Sequence, residues 1–308
     1  MNKNKKNDKP DIIIVGAGPA GLTAAIFAAR AGKKVLVFEA KTFGGQIVNA
    51  TSVVNYPAIK EISGSDYAYE LYEQATSFGV KIKFEKVIDI DVEKDIKIVK
   101  TEKEKYKTKA LILATGAYSR PLGLDGEEKY IGKGVSYCAS CDGNFFKKKD
   151  VAVVGGGDTA LTDALYLANI CNKVYLIHRR DKFRGSESYV RKLSKLDNVE
   201  FVYNSNVTKL FGKDTLEKIE VTDNDDNKFK LEVSGLFIAI GQLPENGNFK
   251  EIVEVDDAGY FVAEENCHTK VPGIFVAGDS REKTLRQLTT AVSDGSIAAT
   301  EACDYLNK

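Results

Sequence analysis

The 308-residue chain carries 44 Lys and Arg against 44 Asp and Glu, so no bulk charge directs it to nucleic acid or to a membrane surface. No apolar run approaches the about 20 residues that cross a bilayer, and residues 1–10 are too polar for a secretion signal and read as a frayed tail. Five cysteines, an odd number in a chain of two-domain length, suit a reducing cytoplasm better than a secreted disulfide scaffold.

Residues 11–15, Asp-Ile-Ile-Ile-Val, read as a buried parallel strand. Gly16-Ala17-Gly18-Pro19-Ala20-Gly21 follows at once, then an Ala-rich helix to Arg30. Such glycines allow a tight turn and let a pyrophosphate approach the helix N-terminus. A second strand over 34–38 ends at Glu39, whose carboxylate is placed to accept hydrogen bonds from an adenosine ribose. Strand, glycines, helix, strand and acid in that order specify a dinucleotide site.

Residues 81–106 alternate apolar and charged side chains, the pattern of a small antiparallel layer over a parallel sheet. Residues 110–116 form a strand emptying into Gly116, and 235–241 repeat that form; with Pro121 and Pro244 just beyond, they read as paired crossings between two domains. Between them lies Tyr137-Cys138-Ala139-Ser140-Cys141-Asp142-Gly143. By itself the C-x-x-C is as compatible with half a zinc site as with a redox disulfide. A zinc site needs four ligands at matched spacing, and there is no second such pair; the two nucleotide motifs favour redox chemistry. Cys171, Cys267 and Cys303 read as small buried hydrophobes.

The chain then repeats its opening. Residues 150–154 are a strand, Gly155-Gly156-Gly157-Asp158-Thr159-Ala160 a glycine turn, and the register places His178 where the first copy has Glu39. Loss of the acid removes repulsion of a 2′-phosphate, and Arg179, Arg180 and Arg184 add cations able to bind one, so the second site should prefer NADPH. Residues 199–231 suggest another antiparallel layer, turning at 223–227. Residues 273–279 form a strand that delivers Asp279 to a turn, where it is placed to hold a ribityl or ribose hydroxyl. Leu285-Arg286-Gln287 opens a helix expected to run to about Leu306 with an interruption at Asp294-Gly295.

Together the Gly16–Gly21 turn, Gly44-Gly45-Gln46, Ala114-Thr115-Gly116, the Cys138–Asp142 segment, Gly155–Gly157, His178-Arg179-Arg180 and Gly278-Asp279 resemble the low-molecular-weight bacterial thioredoxin reductases, class II pyridine nucleotide-disulfide oxidoreductases. The resemblance runs from Asp11 to the last helix and includes a C-x-x-C next to the first strand of the NADPH domain. It implies an α/β fold of two Rossmann-like three-layer domains, an NADPH domain (118–245) inserted into an FAD domain (1–117 and 246–308). Gly16, Gly18, Pro19, Ala20, Gly21, Glu39, Gly45, Gln46, Asn55, Thr115, Gly116, Gly278, Asp279, Arg286 and Gln287 would contact FAD. Gly155, Gly157, Asp158, Thr159, His178, Arg179, Arg180 and Arg184 would contact NADPH.

The resemblance further implies that Cys141 faces the flavin, Cys138 attacks thioredoxin and Asp142 serves proton transfer. The inserted domain would rotate about its crossings between half-reactions, in a cytoplasmic homodimer built through the FAD domains. Ser140, Thr162 and Gln242 depart from the family's usual Thr, acid and His. Three rivals stand beside this reading. A ferredoxin-NADP reductase would not need the C-x-x-C, a ferredoxin-fed flavin thioredoxin reductase would not need the arginines, and a redox sensor or zinc module would carry no flavin. A further alternative keeps the flavin and dithiol but replaces thioredoxin by another small dithiol partner.

Overall fold

The computed structural model describes residues 9–50 and 52–308, so most of the segment expected to fray lies outside the described residues. The elements run β1 (Ile12–Val15), α1 (Pro19–Arg30), β2 (Val35–Glu39), α2 (Gly64–Ser77), β3 (Lys81–Phe84), β4 (Val87–Glu93), β5 (Ile96–Thr101), β6 (Lys105–Thr108), β7 (Ala110–Leu113) and β8 (Ala117–Ser119). Next come α3 (Glu127–Tyr130), β9 (Val135–Ser136), α4 (Ala139–Asp142), β10 (Asp150–Gly155), α5 (Asp158–Ala168), β11 (Lys173–Ile177), α6 (Glu187–Leu193) and β12 (Val199–Val202). They are followed by β13 (Ser205–Phe211), β14 (Lys218–Asp223), β15 (Lys228–Glu232), β16 (Gly235–Ala239), β17 (Gln242–Pro244), β18 (Ile274–Val276) and α7 (Leu288–Asn307).

Two compact units result: Met1–Tyr118 with Leu243–Lys308, and Ser119–Gln242. The crossings therefore differ by one and three residues from the boundaries expected at 117/118 and 245/246. The reason is that β8 and β17 pair as a two-stranded ribbon, so the chain changes units inside a regular element, and Pro244 ends a strand instead of lying in a loop.

In the first unit the sheet order is β18-β7-β1-β2-β3, parallel throughout. β1 is central and 0–7 % exposed along its length. Ile12 and Ile14 pack with Ala24 and Ala28 of α1 and Ala298 and Ala302 of α7; Ile13 and Val15 pack on the other face with Ile90 and Val99 of the β4-β5-β6 sheet. Cover on both faces is why this strand is a continuous apolar run, each buried Ile contributing about 1.5–3 kcal/mol.

The second unit repeats the scheme with the order β12-β11-β10-β16-β9. Val151 and Val153 pack against Leu161, Ala164 and Leu167 of α5, and Ala152 and Val154 against Ile219 and Val221 of the β13-β14-β15 sheet.

Three expectations need correction. The stretches read as wholly antiparallel, 81–106 and 199–231, each begin with an edge strand of the parallel sheet, β3 pairing with β2 and β12 with β11. Edge strands are half-exposed and so alternate like antiparallel ones. The last helix is continuous through Asp294 and Gly295; the glycine marks close packing, since a side chain there would collide with the Ala20 carbonyl of α1.

Candidate active site

In the first unit the turn after β1 lies against three neighbours. Gly16, at φ 105°, abuts the Ala114 carbonyl beside Thr115; Gly18 faces the Gly45 backbone that leads to Gln46; and the Ala20 methyl abuts Gly278. Pro19 is the first residue of α1, where its missing N–H costs nothing. Glu39 closes this turn: Oε2 accepts from the Ala17 amide at 2.9 Å and Oε1 from the Lys41 amide at 2.9 Å, and each oxygen keeps a lone pair. Asn55 donates to Gln287 Oε1 at 3.2 Å, joining residues 232 positions apart. Gln287 also N-caps α7. Arg286 stacks its guanidinium 3.8 Å from the Tyr260 ring centroid and donates to the Asp279 carbonyl at 3.4 Å. All the sequence-predicted residues of this set belong to one unit, and the contacts above draw most of them together.

Asp279 tests whether this constellation suits FAD. Its Oδ1 is buried without a hydrogen-bond partner, and burial holds its carboxyl above the usual carboxylate range. A buried acceptor lacking a donor is costly unless a bound hydroxyl supplies one. With glycine-lined approach at the first turn, the residues fit a flavin dinucleotide.

Two residues that support this site were not assigned to it from the sequence. Asn246, 1 % exposed, accepts from Thr115 Oγ1 at 2.7 Å and donates to the carbonyls of Gly259 and Ser280 at 2.9 and 2.7 Å. Asp294 accepts from the Gly278 amide at 3.0 Å, from Arg281 Nε and Nη2 at 2.8 and 2.9 Å, and from Lys283 Nζ at 2.7 Å. Burial alone would raise its pKa; the two cations hold it below the ordinary value. The Gly278-Asp279 turn is thus fastened by a charged residue from within the last helix.

In the second unit Gly155 and Gly157 lead into α5. Asp158 Oδ1 accepts from the Ser186 amide at 2.7 Å, while the Gly156 carbonyl accepts from the Arg184 and Gly185 amides at 2.7 and 3.0 Å. The segment after β11 is thereby folded back onto the turn. Thr159 follows Asp158 in α5, and Thr162 spends its hydroxyl on the Asp158 and Thr159 carbonyls. Arg179, Arg180 and Arg184 are exposed, and among the described residues no carboxylate pairs with them.

His178 is 6 % exposed, occupies the space a side chain at Gly156 would need, stacks on Phe183 at 5.2 Å and donates through Nε2 to the Lys182 carbonyl at 3.1 Å. Burial lowers its pKa, partly offset by that hydrogen bond, and the three arginines lower it further, so the ring is a neutral strut.

The same unit holds the dithiol. Cys138 and Cys141 are disulfide-bonded, with S–S 2.06 Å and Cα–Cα 5.3 Å, at the start of the single-turn helix α4. Both are half-buried, so static exposure does not distinguish them. Cys138 Sγ is 3.5 Å from Ser140 Oγ. Asp142 accepts from Ser136 Oγ at 2.7 Å; burial raises its pKa and this bond lowers it, for a net upward shift. Tyr137 Oη donates at 2.7 Å to Glu127, a buried carboxylate that also accepts from the amides of Leu122, Gly123 and Leu124. Cys171, Cys267 and Cys303 are free and buried.

Residues 10–295 match the family profile described as pyridine nucleotide-disulphide oxidoreductase. The chain belongs to that family. This oxidoreductase is 43 % identical to a thioredoxin reductase of Peptoclostridium acidaminophilum, with 96 % of each chain covered. It is 41 % identical to one from Listeria monocytogenes, covering 97 % of this chain and 94 % of that one. Among solved structures, thioredoxin reductase from Streptococcus pyogenes superposes with a TM-score of 0.92 at 39 % identity, over 98 % of this chain and 99 % of that one. Family membership makes the protein a redox enzyme using FAD and NADPH. Among the described residues no helix is long and apolar enough to cross a membrane.

Proposed function

We propose that the protein reduces the disulfide of a thioredoxin with electrons from NADPH, passed through FAD to the Cys138–Cys141 pair. The observation that carries this reading is a closed C-x-x-C disulfide in the unit that also presents three exposed arginines beside a dinucleotide turn. Those arginines favour NADPH over a version fed by ferredoxin.

Gly155, Gly157, Asp158 and Thr159 would hold the NADPH pyrophosphate at the start of α5, with Arg179, Arg180 and Arg184 on the 2′-phosphate. In the first unit Gly16 to Gly21 would hold the flavin pyrophosphate, Glu39 the ribose and Asp279 the ribityl chain. Gly45, Gln46, Asn55, Thr115, Gly116, Gly278, Arg286 and Gln287 would line the rest. When bound, FAD supplies the step that turns a hydride into an electron pair for a disulfide. A thioredoxin disulfide, at about −270 mV, needs such a low-potential donor. Cys141 is assigned the flavin-facing position, Cys138 the attack on the partner's disulfide, and Asp142 the proton.

The two requirements on Cys138, reduction and then partner attack, are assigned to turning of the second unit about the β8 and β17 crossings. Gly116 and Gly241 bound these crossings at φ 72° and 106°, with open space around them. A cytoplasmic homodimer built through the first unit completes the proposal.

The test is NADPH-dependent disulfide reduction with thioredoxin added. Cys138→Ser and Cys141→Ser should each abolish it while leaving flavin bound and reducible by NADPH; full activity in either would sink the assignment. Reduction of another small dithiol protein but not of thioredoxin would move the substrate and keep the chemistry.

A further inference from the structure

Ser136 ends β9, 4 % exposed, and nothing in its residue type marked it in the sequence. Its hydroxyl stands where the redox helix is joined to the sheet. Oγ lies 2.7 Å from Asp142 Oδ2, 3.1 Å from the Cys138 amide nitrogen and 3.3 Å from the Cys138 carbonyl oxygen. A hydroxyl has one hydrogen to donate and two lone pairs with which to accept. The Cys138 N–H can only donate, so it takes one lone pair.

Two oxygens then compete for the single hydroxyl hydrogen, and distance decides between them. The 2.7 Å separation is the ordinary length of an O–H···O bond, whereas 3.3 Å exceeds it. The Cys138 carbonyl is in any case served by the Asp142 amide at 3.1 Å. Ser136 therefore donates to Asp142 Oδ2. Among the described residues no hydrogen bond engages the other oxygen, Oδ1.

We propose that Ser136 is the positioning residue for the proton donor: by holding Oδ2 as an acceptor it leaves Oδ1 as the oxygen that exchanges a proton with the dithiol. The inference rests on the role assigned to Asp142 above. Reduction brings two electrons from NADPH, by way of FAD, to the disulfide; the S–S bond breaks and leaves two thiolates. Asp142 Oδ1–H protonates one thiolate, and the proton that arrived with the hydride, passed on through water, supplies the other. When the dithiol passes its electrons on, its S–S bond reforms as the partner's breaks. One of the two protons released returns to Oδ1, and the other, with one from water, completes the partner's two thiols.

The elements packed on α4 carry Asp158, Asp163 and Tyr166 on α5 and no titratable group on residues 143–146. None of these exerts a charge effect on Asp142, whose titration answers to burial and to Ser136. Removing the hydroxyl removes a bond that favours the carboxylate, so the pH profile of the dithiol step should move to higher pH.

The experiment compares Ser136→Ala, Ser136→Thr and Asp142→Asn in the FAD-loaded protein, following flavin bleaching by NADPH, dithiol formation and partner reduction against pH. Ser136→Ala should lower kcat about tenfold, leave the KM for thioredoxin and the bleaching by NADPH unchanged, and shift the profile upward. Ser136→Thr should restore both the rate and the profile. A slowed Asp142→Asn beside an unmoved Ser136→Ala profile overturns the Ser136 proposal alone. An unaffected Asp142→Asn overturns the assignment of the acid and the Ser136 proposal with it. Should the serine variants misfold, infrared spectroscopy of the unaltered protein decides. The C=O stretch of protonated Asp142, identified by its loss in Asp142→Asn, should lie where a hydrogen-bonded carbonyl absorbs, and a free-carbonyl frequency overturns the proposal.

Discussion

The two glycine turns share a register, Gly155 standing for Gly16, Gly157 for Gly18 and Ala160 for Gly21, yet they differ in what closes them. In the first, a side chain at position 21 would strike the Gly16 carbonyl, and Glu39 braces the turn through the Ala17 amide. In the second, Ala160 is accommodated, and the residue in Glu39's place, His178, lies beneath Gly156 with its ring nitrogen on the Lys182 carbonyl. Register thus fixes where a residue stands, while its neighbours decide whether it faces a ligand or supports the turn. With His178 packed as a support, the exposed cations beside the second turn are the arginines that follow it.

The largest expected effect comes from exchanging the residues at the matched helix positions. Gly21→Ala must displace the Gly16 carbonyl, which should cost about 3 kcal/mol and release flavin. The reciprocal Ala160→Gly should cost only about 1 kcal/mol, the ordinary helix penalty of glycine. Melting temperature and flavin retained after gel filtration measure both, and equal losses would erase the distinction between the turns.

Next comes the exchange of charge. Replacing Arg179 and Arg180 by Ala would remove the charge-assisted contacts proposed for them, worth about 1.5–3 kcal/mol each, so KM should rise steeply for NADPH and little for NADH. Glu39→Gln should weaken flavin retention and leave the NADPH-to-NADH preference as it was. Equal responses to the two nicotinamides would show that the arginines do not read the 2′-phosphate.

A smaller effect concerns Asp163, which stands where α1 has the fully buried Ala24. Burial pushes the Asp163 carboxyl up to about 6 from 3.8. A raised carboxyl contributes most at low pH, below its unfolded value, and loses that contribution as pH rises through about 6. Asp163→Asn should therefore stabilise the fold by up to about 2 kcal/mol at pH 8, with the gain shrinking towards pH 4. Thermal melts at the two pH values would refute the difference between the helices if the gain were the same in both.

The doubly wound sheets were legible because their central strands carry unbroken apolar runs, 12–15 and 151–154, next to glycines, a pattern set by cover on both faces. The edge strands β3 and β12 were not, since one open face makes them alternate like hairpin strands. Site residues lying on motifs could be named in advance. Those whose value lies in a distant partner could not: Asn246 meets Thr115 across 131 positions, and Asp294 meets Gly278 and Arg281 only once α7 packs on α1. Gly295 misled for the same reason, because the contact that requires it is with Ala20, far back in the chain.

The order of the first unit's sheet also has a consequence in time. Its core strand β7 waits for β18, and α1 waits for α7, so the flavin cradle cannot close until residues up to about 307 have left the ribosome. The inserted unit, continuous from Ser119 to Gln242, is complete much earlier. During synthesis the domain carrying Cys138 and Cys141 can therefore fold, and its thiols meet oxidants, before there is a place for the flavin that will later reduce them.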